Sequence, residues 1–135
     1  WEVYFRPDIK LIAKLTPFKH TGIFAEQASN WEWLMKLTSP NPSLKGGEYK
    51  RFSVSPPSQG GVATKEPGWL GQPLKILNLF AYTGGATMVL TRLGHQVTHV
   101  DASKPSIGWA KENQHANKFE DESIRWILDD ALKFC

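Results

Sequence analysis

The stretch Leu74–Asp101, LKILNLFAYTGGATMVLTRLGHQVTHVD, changes its hydrophobic period twice, and few folds accommodate that. Lys75–Phe80 is a short apolar run with the look of a strand buried on both faces. Ala81–Gly85 then supplies a turn with two adjacent glycines. From Ala86 the period becomes helical: Ala86, Val89, Leu90 and Leu93 fall at i, i+3, i+4 and i+7, the stripe of a helix packed on a sheet. Gly94 stands where a left-handed residue ends a helix without a Cβ penalty. Gln96–Val100 reads as a second strand, closed by Asp101. The whole is one β-α-β unit, whose strands should lie parallel with a right-handed crossover.

Such a unit suits a ligand. Backbone N–H groups at the helix N-terminus lack partners and carry the positive end of the helix dipole, so they attract a carboxylate or phosphate. Gly84 and Gly85 would let a ligand approach the main chain. A carboxylate at the end of the second strand, Asp101, can accept hydrogen bonds from two ribose hydroxyls. The spacing points to a nucleoside-containing cofactor. The dinucleotide fingerprint is not met, because Thr83-Gly84-Gly85-Ala86 contains no G-x-G-x-x-G.

Composition bounds the rest. A chain of 135 residues has room for one domain with a real core. It has 41% hydrophobic residues but no long apolar span and no signal-peptide pattern, so a soluble, cytoplasmic protein without membrane contact is expected. A net charge of +3 permits an RNA partner without demanding one, since the basic residues are scattered. The single cysteine, Cys135, excludes an intrachain disulfide and fits a reducing compartment. His20, His95, His99 and His115 have no metal-ligand spacing, so no metal is expected. The chain opens on Trp1 and stops on Cys135 just after a helix-like start, and both ends look cut.

Upstream, Glu2–Arg6 and Ile9–Leu15 read as two short strands around a Pro7-Asp8 turn, a small hairpin over the edge or mouth of the main domain. Glu26–Leu37 reads as a helix with Ala28, Trp31, Leu34 and Met35 in its apolar stripe, and both Trp31 and Trp33 read as packing residues. Thr38–Gly71 is rich in Pro, Gly and Ser and cannot bury enough apolar surface to order itself. An RNA role for Lys45, Lys50, Arg51 and Lys65 is the lesser reading of that stretch; a solvated loop is the greater. Past Asp101, Ser103 caps a helix that runs to about Asn117, with Ile107, Ala110 and Gln114 towards the sheet. Ser123–Leu128 is a third strand, followed by Asp129, Asp130 and a helix beginning at Ala131.

These residues carry a resemblance. Asn78-Leu79-Phe80-Ala81-Tyr82-Thr83-Gly84-Gly85-Ala86-Thr87, Val97-Thr98-His99-Val100-Asp101-Ala102-Ser103-Lys104 and Trp109-Ala110-Lys111-Glu112-Asn113 resemble class I S-adenosylmethionine-dependent methyltransferases. More narrowly they are similar to the branch that includes ribosomal RNA large-subunit methyltransferases, as is His20-Thr21-Gly22-Ile23-Phe24-Ala25-Glu26-Gln27 with Asn30-Trp31. The resemblance implies an α/β fold, a truncated Rossmann-like class I methyltransferase domain. Its first three parallel core strands and helices occupy 74–135, preceded by a β-hairpin and helix at 1–37 and an insertion at 38–73 that is expected to be disordered.

It also implies S-adenosyl-L-methionine as cofactor and RNA, ribosomal above all, as substrate. Thr83–Gly85 would hold the methionine carboxylate, Asp101 with Ala102 and Ser103 the ribose, and Asp130 with Asp129 and Ala131 the adenine. Two carboxylates at a helix start can equally be ordinary N-caps. Tyr82 or Phe80 would line the sulfonium side, with core packing the more cautious reading of Phe80; Ala81 belongs to the same cofactor-binding turn, and Gln27 would touch the ligand. The family's D-P-P-type catalytic segment has no counterpart here, so catalytic residues are expected beyond Cys135 and the chain alone is expected to be inactive. With the fourth strand of that sheet absent, Lys75–Phe80 would form an open edge and the chain would self-associate or aggregate, unless the N-terminal hairpin or the Pro/Gly-rich loop folds over that edge. Two other classes remain: a nucleotide- or NAD-binding α/β domain, and a non-catalytic RNA-binding module. The target base, the modified atom and the oligomeric state of the whole protein are not legible.

Overall fold

A computed structural model describes residues 1–17, 20–38 and 73–135. The apart-standing insertion expected at 38–73 lies outside these residues except for its flanks; Thr38 ends a helix, where Thr38 Oγ1 donates to the Leu34 carbonyl at 2.8 Å. His95 ties the two flanks together. Its Nδ1 accepts from Leu74 N at 3.2 Å, and its Nε2 lies 3.1 Å from the Thr38 carbonyl.

The β-α-β unit forms as its period implies. Strand β3 (Lys75–Leu79) leads through a turn into helix α2 (Gly85–Arg92), strand β4 (Gln96–Asp101) and helix α3 (Lys104–Ala116). Strand β5 (Ile124–Leu128) and the short helix α4 (Ala131–Phe134) follow. The three strands pair in parallel in the order β3-β4-β5, with Leu79 opposite Val100 and Asp101 opposite Leu128. Ser103 caps α3, its hydroxyl accepting from Ser106 N at 3.3 Å, and Gly94 closes α2 with φ +84°.

Ahead of this unit, β1 (Glu2–Arg6) and β2 (Ile9–Ile12) make an antiparallel hairpin, and α1 (Ala28–Thr38) follows a single 3-10 turn at Ala25–Gln27. The second strand stops sooner than expected because its partner runs out: Ala13 N bonds the carbonyl of Trp1, and Lys14 N turns to Thr21 O. The hairpin does not cover the sheet edge. It packs on the helix layer instead, where β2 meets α3 and α2, while α1 lies beside α2. Ile9 and Leu11 of the hairpin, Trp31 and Met35 of α1, Met88 and Val89 of α2, and Ile124 of β5 form one buried cluster.

Two asparagines fasten the hairpin. Asn117 Oδ1 accepts from Lys10 N at 2.8 Å while its Nδ2 donates to Lys10 O at 2.6 Å. One turn earlier, Asn113 Oδ1 accepts from Ile12 N at 2.7 Å. The side-chain amides of α3 thus stand in for a neighbouring strand along β2, satisfying polar groups that burial would otherwise leave unpaired.

Three expectations are corrected. The helix begins at Ala28 rather than Glu26, since Phe24 offers no side-chain cap and the chain enters by a 3-10 turn. Trp33 is 59% exposed and packs little, whereas Trp31 is buried with Phe5 set edge-on at 5.1 Å. The first core strand is not buried on both faces: Leu77 is 48% exposed and Phe80 72%. Among the described residues β3 pairs only with β4. Its Asn78 side bonds to α2, and the opposite side, carrying Leu77, is the open one.

Candidate functional site

The turn between β3 and α2 is where the backbone departs furthest from ordinary geometry. Phe80 and Tyr82 both have φ +53° and Gly84 has φ +85°. Left-handed conformations cost a residue with a side chain about 1–2 kcal/mol, so neighbouring contacts must hold them. They do. Ala81 N donates to Val100 O at 3.1 Å, Tyr82 N to Asp101 Oδ2 at 2.8 Å, and Gly84 N to Ala81 O at 3.0 Å. The other oxygen of Asp101 accepts from Ser103 N at 2.8 Å. One carboxylate therefore joins the turn, the end of β4 and the start of α3.

The two glycines also answer to the protein around them. A Cβ on Gly85 would stand 2.5 Å from the Trp31 ring, and one on Gly84, at φ +85°, would meet Ala110 at 3.2 Å. Gly85 lines a cavity beside the turn as well. What remains available is the opening of α2 itself, whose first N–H groups have no intrahelical acceptor.

Beneath the turn lies a polar chain. Asn78 Nδ2 donates to Thr87 Oγ1 at 3.0 Å, and that hydroxyl lies 3.0 Å from His99 Nδ1. His99 is fully buried, its ring 4.6 Å from Trp126, and its Nε2 has no partner among the described residues. Burial pushes its pKa down to about 4, against the opposing pull of nearby Asp101 and the Tyr82 backbone. The imidazole is neutral at physiological pH.

Beside the turn is a cavity of about 400 Å³. One wall is the turn: Asn78, Leu79, Phe80, Ala81, Tyr82, Thr83, Gly85 and Ala86. The other comes from the N-terminal third: Leu11, Gly22, Ile23, Phe24, Gln27 and Trp31. The walls are tied across. Thr83 Oγ1 donates to Gly22 O at 2.5 Å, the Tyr82 hydroxyl lies 3.1 Å from His20 Nδ1, and the Phe24 and Tyr82 rings lean together at 5.2 Å. Burial, and then the charge of Asp101, raise the Tyr82 phenol above its usual range.

Of the residues singled out from sequence, Gln27, Phe80, Ala81, Tyr82, Thr83 and Gly85 line this one cavity. Gln27 is exposed and its Oε1 accepts from Asn30 at 2.8 Å. Asp101 and Ser103 adjoin through the Tyr82 and Ser103 amides, with Ala102 exposed between them. Asp129 and Asp130 are exposed and occupied locally. Asp129 Oδ1 accepts from Asp130 N, and Asp130 caps α4 by accepting from Leu132 N at 2.9 Å, with Ala131 buried behind. Asn78, Thr87, His99 and Asn113 were not singled out. Asn113 and Asn117, four apart on a helix, were the available signal. Among the described residues no group of three or more His, Cys, Asp or Glu could hold a metal, and no helix is long and apolar enough to cross a membrane.

The donor set suits S-adenosylmethionine. An ionised carboxylate offers about four lone-pair sites, so Asp101 keeps capacity for two hydroxyls after its two backbone bonds. The α2 N-terminus suits a carboxylate, and the walls of Ile23, Phe24 and Trp31 suit an apolar chain.

No family model matches the chain. Ribosomal RNA large subunit methyltransferase K/L of Vibrio cholerae serotype O1 is 35% identical over 74 residues, which cover 54% of this chain and 10% of that protein. The protein of the same name from Aeromonas hydrophila is 36% identical over 69 residues, 50% of this chain and 10% of that one. The SAM-dependent methyltransferase of Agrobacterium tumefaciens, a crystal structure, superposes with a TM-score of 0.72 at 37% identity, over 99% of this chain and 33% of that one. SMU.776, solved in complex with SAH, gives 0.63 at 18% identity over 93% of this chain and 25% of its own, a likeness of fold alone.

The chain has, in part, the α/β fold of class I, Rossmann-like SAM-dependent methyltransferases, with parallel core strands and helices. It is distantly homologous to the ribosomal RNA large subunit methyltransferases K/L, and the matched stretch spans about a tenth of their length.

Proposed function

We propose that this chain carries the cofactor-binding part of a S-adenosylmethionine-dependent methyltransferase acting on RNA, with ribosomal RNA the favoured substrate. The observation that supports it most is the Asp101 carboxylate holding the left-handed Tyr82 amide at the mouth of α2, beside a cavity walled by apolar side chains. The α2 amides after Thr83 would take the methionine carboxylate, and Asp101 the ribose. Asp130, whose second oxygen makes no bond within the chain among the described residues, would take the adenine amino group.

The cofactor supplies a methyl already activated as a sulfonium, so the chain needs no strong acid or base for that step. The work left to these residues is orientation, which supplies up to ~7–11 kcal/mol in the best cases. Phe24, Phe80 and Tyr82 put aromatic faces beside the cavity, where a cationic sulfur is stabilised. The RNA substrate follows from the named relatives and is a proposal for this chain. No proton-transferring residue is assigned within residues 1–135.

Calorimetric titration with S-adenosylmethionine, SAH, NAD and a short RNA hairpin tests the reading. Binding of the first two without NAD is the expected result. Binding of NAD alone would move the chain to the nucleotide-binding class, and binding of RNA alone would leave a non-catalytic RNA module.

A further inference from the structure

We propose that Asn113 is the positioning residue of the turn that opens α2, and that through it the N-terminal hairpin sets cofactor affinity; the second clause rests on the cofactor reading above. Asn113 is fully buried, and its carboxamide joins two segments remote from each other in the chain. Oδ1 accepts from Ile12 N at 2.7 Å and Nδ2 donates to the Thr83 carbonyl at 2.8 Å. Neither end is loose. The Ile12 carbonyl accepts from Trp109 Nε1 at 2.7 Å, so α3 holds both polar groups of that residue. Gly22, to whose carbonyl the Thr83 hydroxyl donates, lies so close on the Trp109 ring that any Cβ would overlap it.

The peptide unit between Thr83 and Gly84 is consequently locked at both ends. Its carbonyl is held by Asn113 and its N–H by Ala81 O at 3.0 Å. A tilt of this one plane re-aims the amides that follow it, Gly85 first. Only a group with a donor and an acceptor in fixed relation can serve here, which a carboxamide is and a carboxylate is not. Asparagine to aspartate would set a carboxylate oxygen against the Thr83 carbonyl, two acceptors facing each other.

Asn117 supplies the control. It holds both Lys10 N and Lys10 O, and its Nδ2 donates as well to the Asn113 backbone carbonyl at 2.7 Å, but it makes no hydrogen bond to the turn. Asn113→Asp keeps an acceptor for Ile12 N and loses the bond to Thr83 O. Asn117→Asp keeps an acceptor for Lys10 N and loses the bonds to Lys10 O and Asn113 O. The second should therefore loosen the hairpin more, and only the first should reach the turn. The measurement is amide hydrogen exchange at Gly84 and Met88 in the unliganded chain, with SAH affinity by calorimetry, at pH 7.5 and 5.5. Asn113→Asp should speed exchange at those amides at least tenfold more than Asn117→Asp, and weaken SAH by about tenfold. Relative to wild type at each pH, lowering the pH should recover part of both losses, because a protonated carboxyl can donate to Thr83 O. In Asn117→Asp a protonated carboxyl can donate to Lys10 O, so its recovery should be confined to the hairpin and absent at Gly84 and Met88. Should Asn113→Asp not fold, Asn113→Thr is read against Asn117→Thr in the same way. Equal effects of the paired variants on exchange would overturn the proposal. A wild-type chain that binds neither S-adenosylmethionine nor SAH would overturn the cofactor reading alone, since the exchange comparison decides the hold on the turn without ligand. Changed exchange with unchanged SAH affinity would overturn the claim that the hairpin sets affinity.

Discussion

Two of the three core strands carry aspartate at their carboxyl ends, and the two ends behave differently. Asp101, the last residue of β4, is half-buried and binds two backbone amides from different segments, Tyr82 and Ser103. Asp129 and Asp130, after β5, are exposed and bind only amides within the next few residues. The same residue type near the same end of neighbouring parallel strands, Asp101 opposite Leu128 and Asp129 one residue past it, is in one case a brace between elements and in the other a cap. What separates them is the company. β4 lies between two strands, and a strained turn stands over its end; α4 is a single turn over an open β5.

The largest test of this contrast is Asp101→Ala. It removes two hydrogen bonds to a charged acceptor and leaves left-handed Tyr82 without its tether, so urea unfolding should show a loss of about 3 kcal/mol. SAH affinity should fall roughly ten- to a hundredfold. A variant that unfolds at the wild-type midpoint removes the brace; one that binds SAH normally removes the ribose assignment.

Acid gives the second test, because a buried neutral imidazole underlies only the β4 end. The sign follows from linkage. With His99 at about 4 in the fold and about 6.5 unfolded, the unfolded chain binds the proton more readily, so stability is constant above about pH 6.5 and falls towards pH 4. The expected loss at pH 5 is about 2 kcal/mol from His99. His95, lowered by burial against the pull of the Thr38 carbonyl, acts in the same direction. Comparing denaturation midpoints of the wild type and His99→Gln between pH 7.5 and 5 isolates the first share; parallel pH dependences would show that His99 is not its source.

Asp130→Ala is smaller. Loss of an N-cap costs about 1 kcal/mol, felt as faster exchange in α4 rather than global unfolding. If SAH affinity also drops about tenfold, the β5 end has an adenine-binding role as well; if only α4 loosens, it is a cap and the contrast with Asp101 is complete. The smallest effect concerns the open side of β3. Among the described residues β3 is an edge strand, and its exposed Leu77 adds apolar surface beside a ladder that a second copy can pair with, so size-exclusion elution should shift earlier as concentration rises. Elution that does not change with concentration would remove this expectation.

How much of this was legible depends on how far apart the interacting residues are. The hydrophobic period of Leu74–Asp101, the Ser103 cap and the Gly94 stop are local properties, set by backbone sterics and by side chains a few positions away, and they can be read directly from the chain. The start of α1 lies two residues later than its apolar stripe implies, because no capping side chain marks it. β3 is less buried than its apolar run implies, since such a run says what a strand could bury, not what lies against it. The adjacent glycines announce a special turn, but their reason, the Trp31 ring and Ala110, comes from elsewhere in the chain.

The sequence by itself determined the parallel β-α-β unit, the acidic strand ends and the capped start of α3, because periodicity and capping act over one or two turns of chain. Tertiary structure alone decided which aspartate became a brace, that an N-terminal hairpin docks on α3 through Asn113 and Asn117, and that residues 22–31 wall the cavity. Hydrogen bonds and ring contacts between segments so far apart leave no periodic trace, since their partners are chosen by the packed geometry and not by neighbours along the chain.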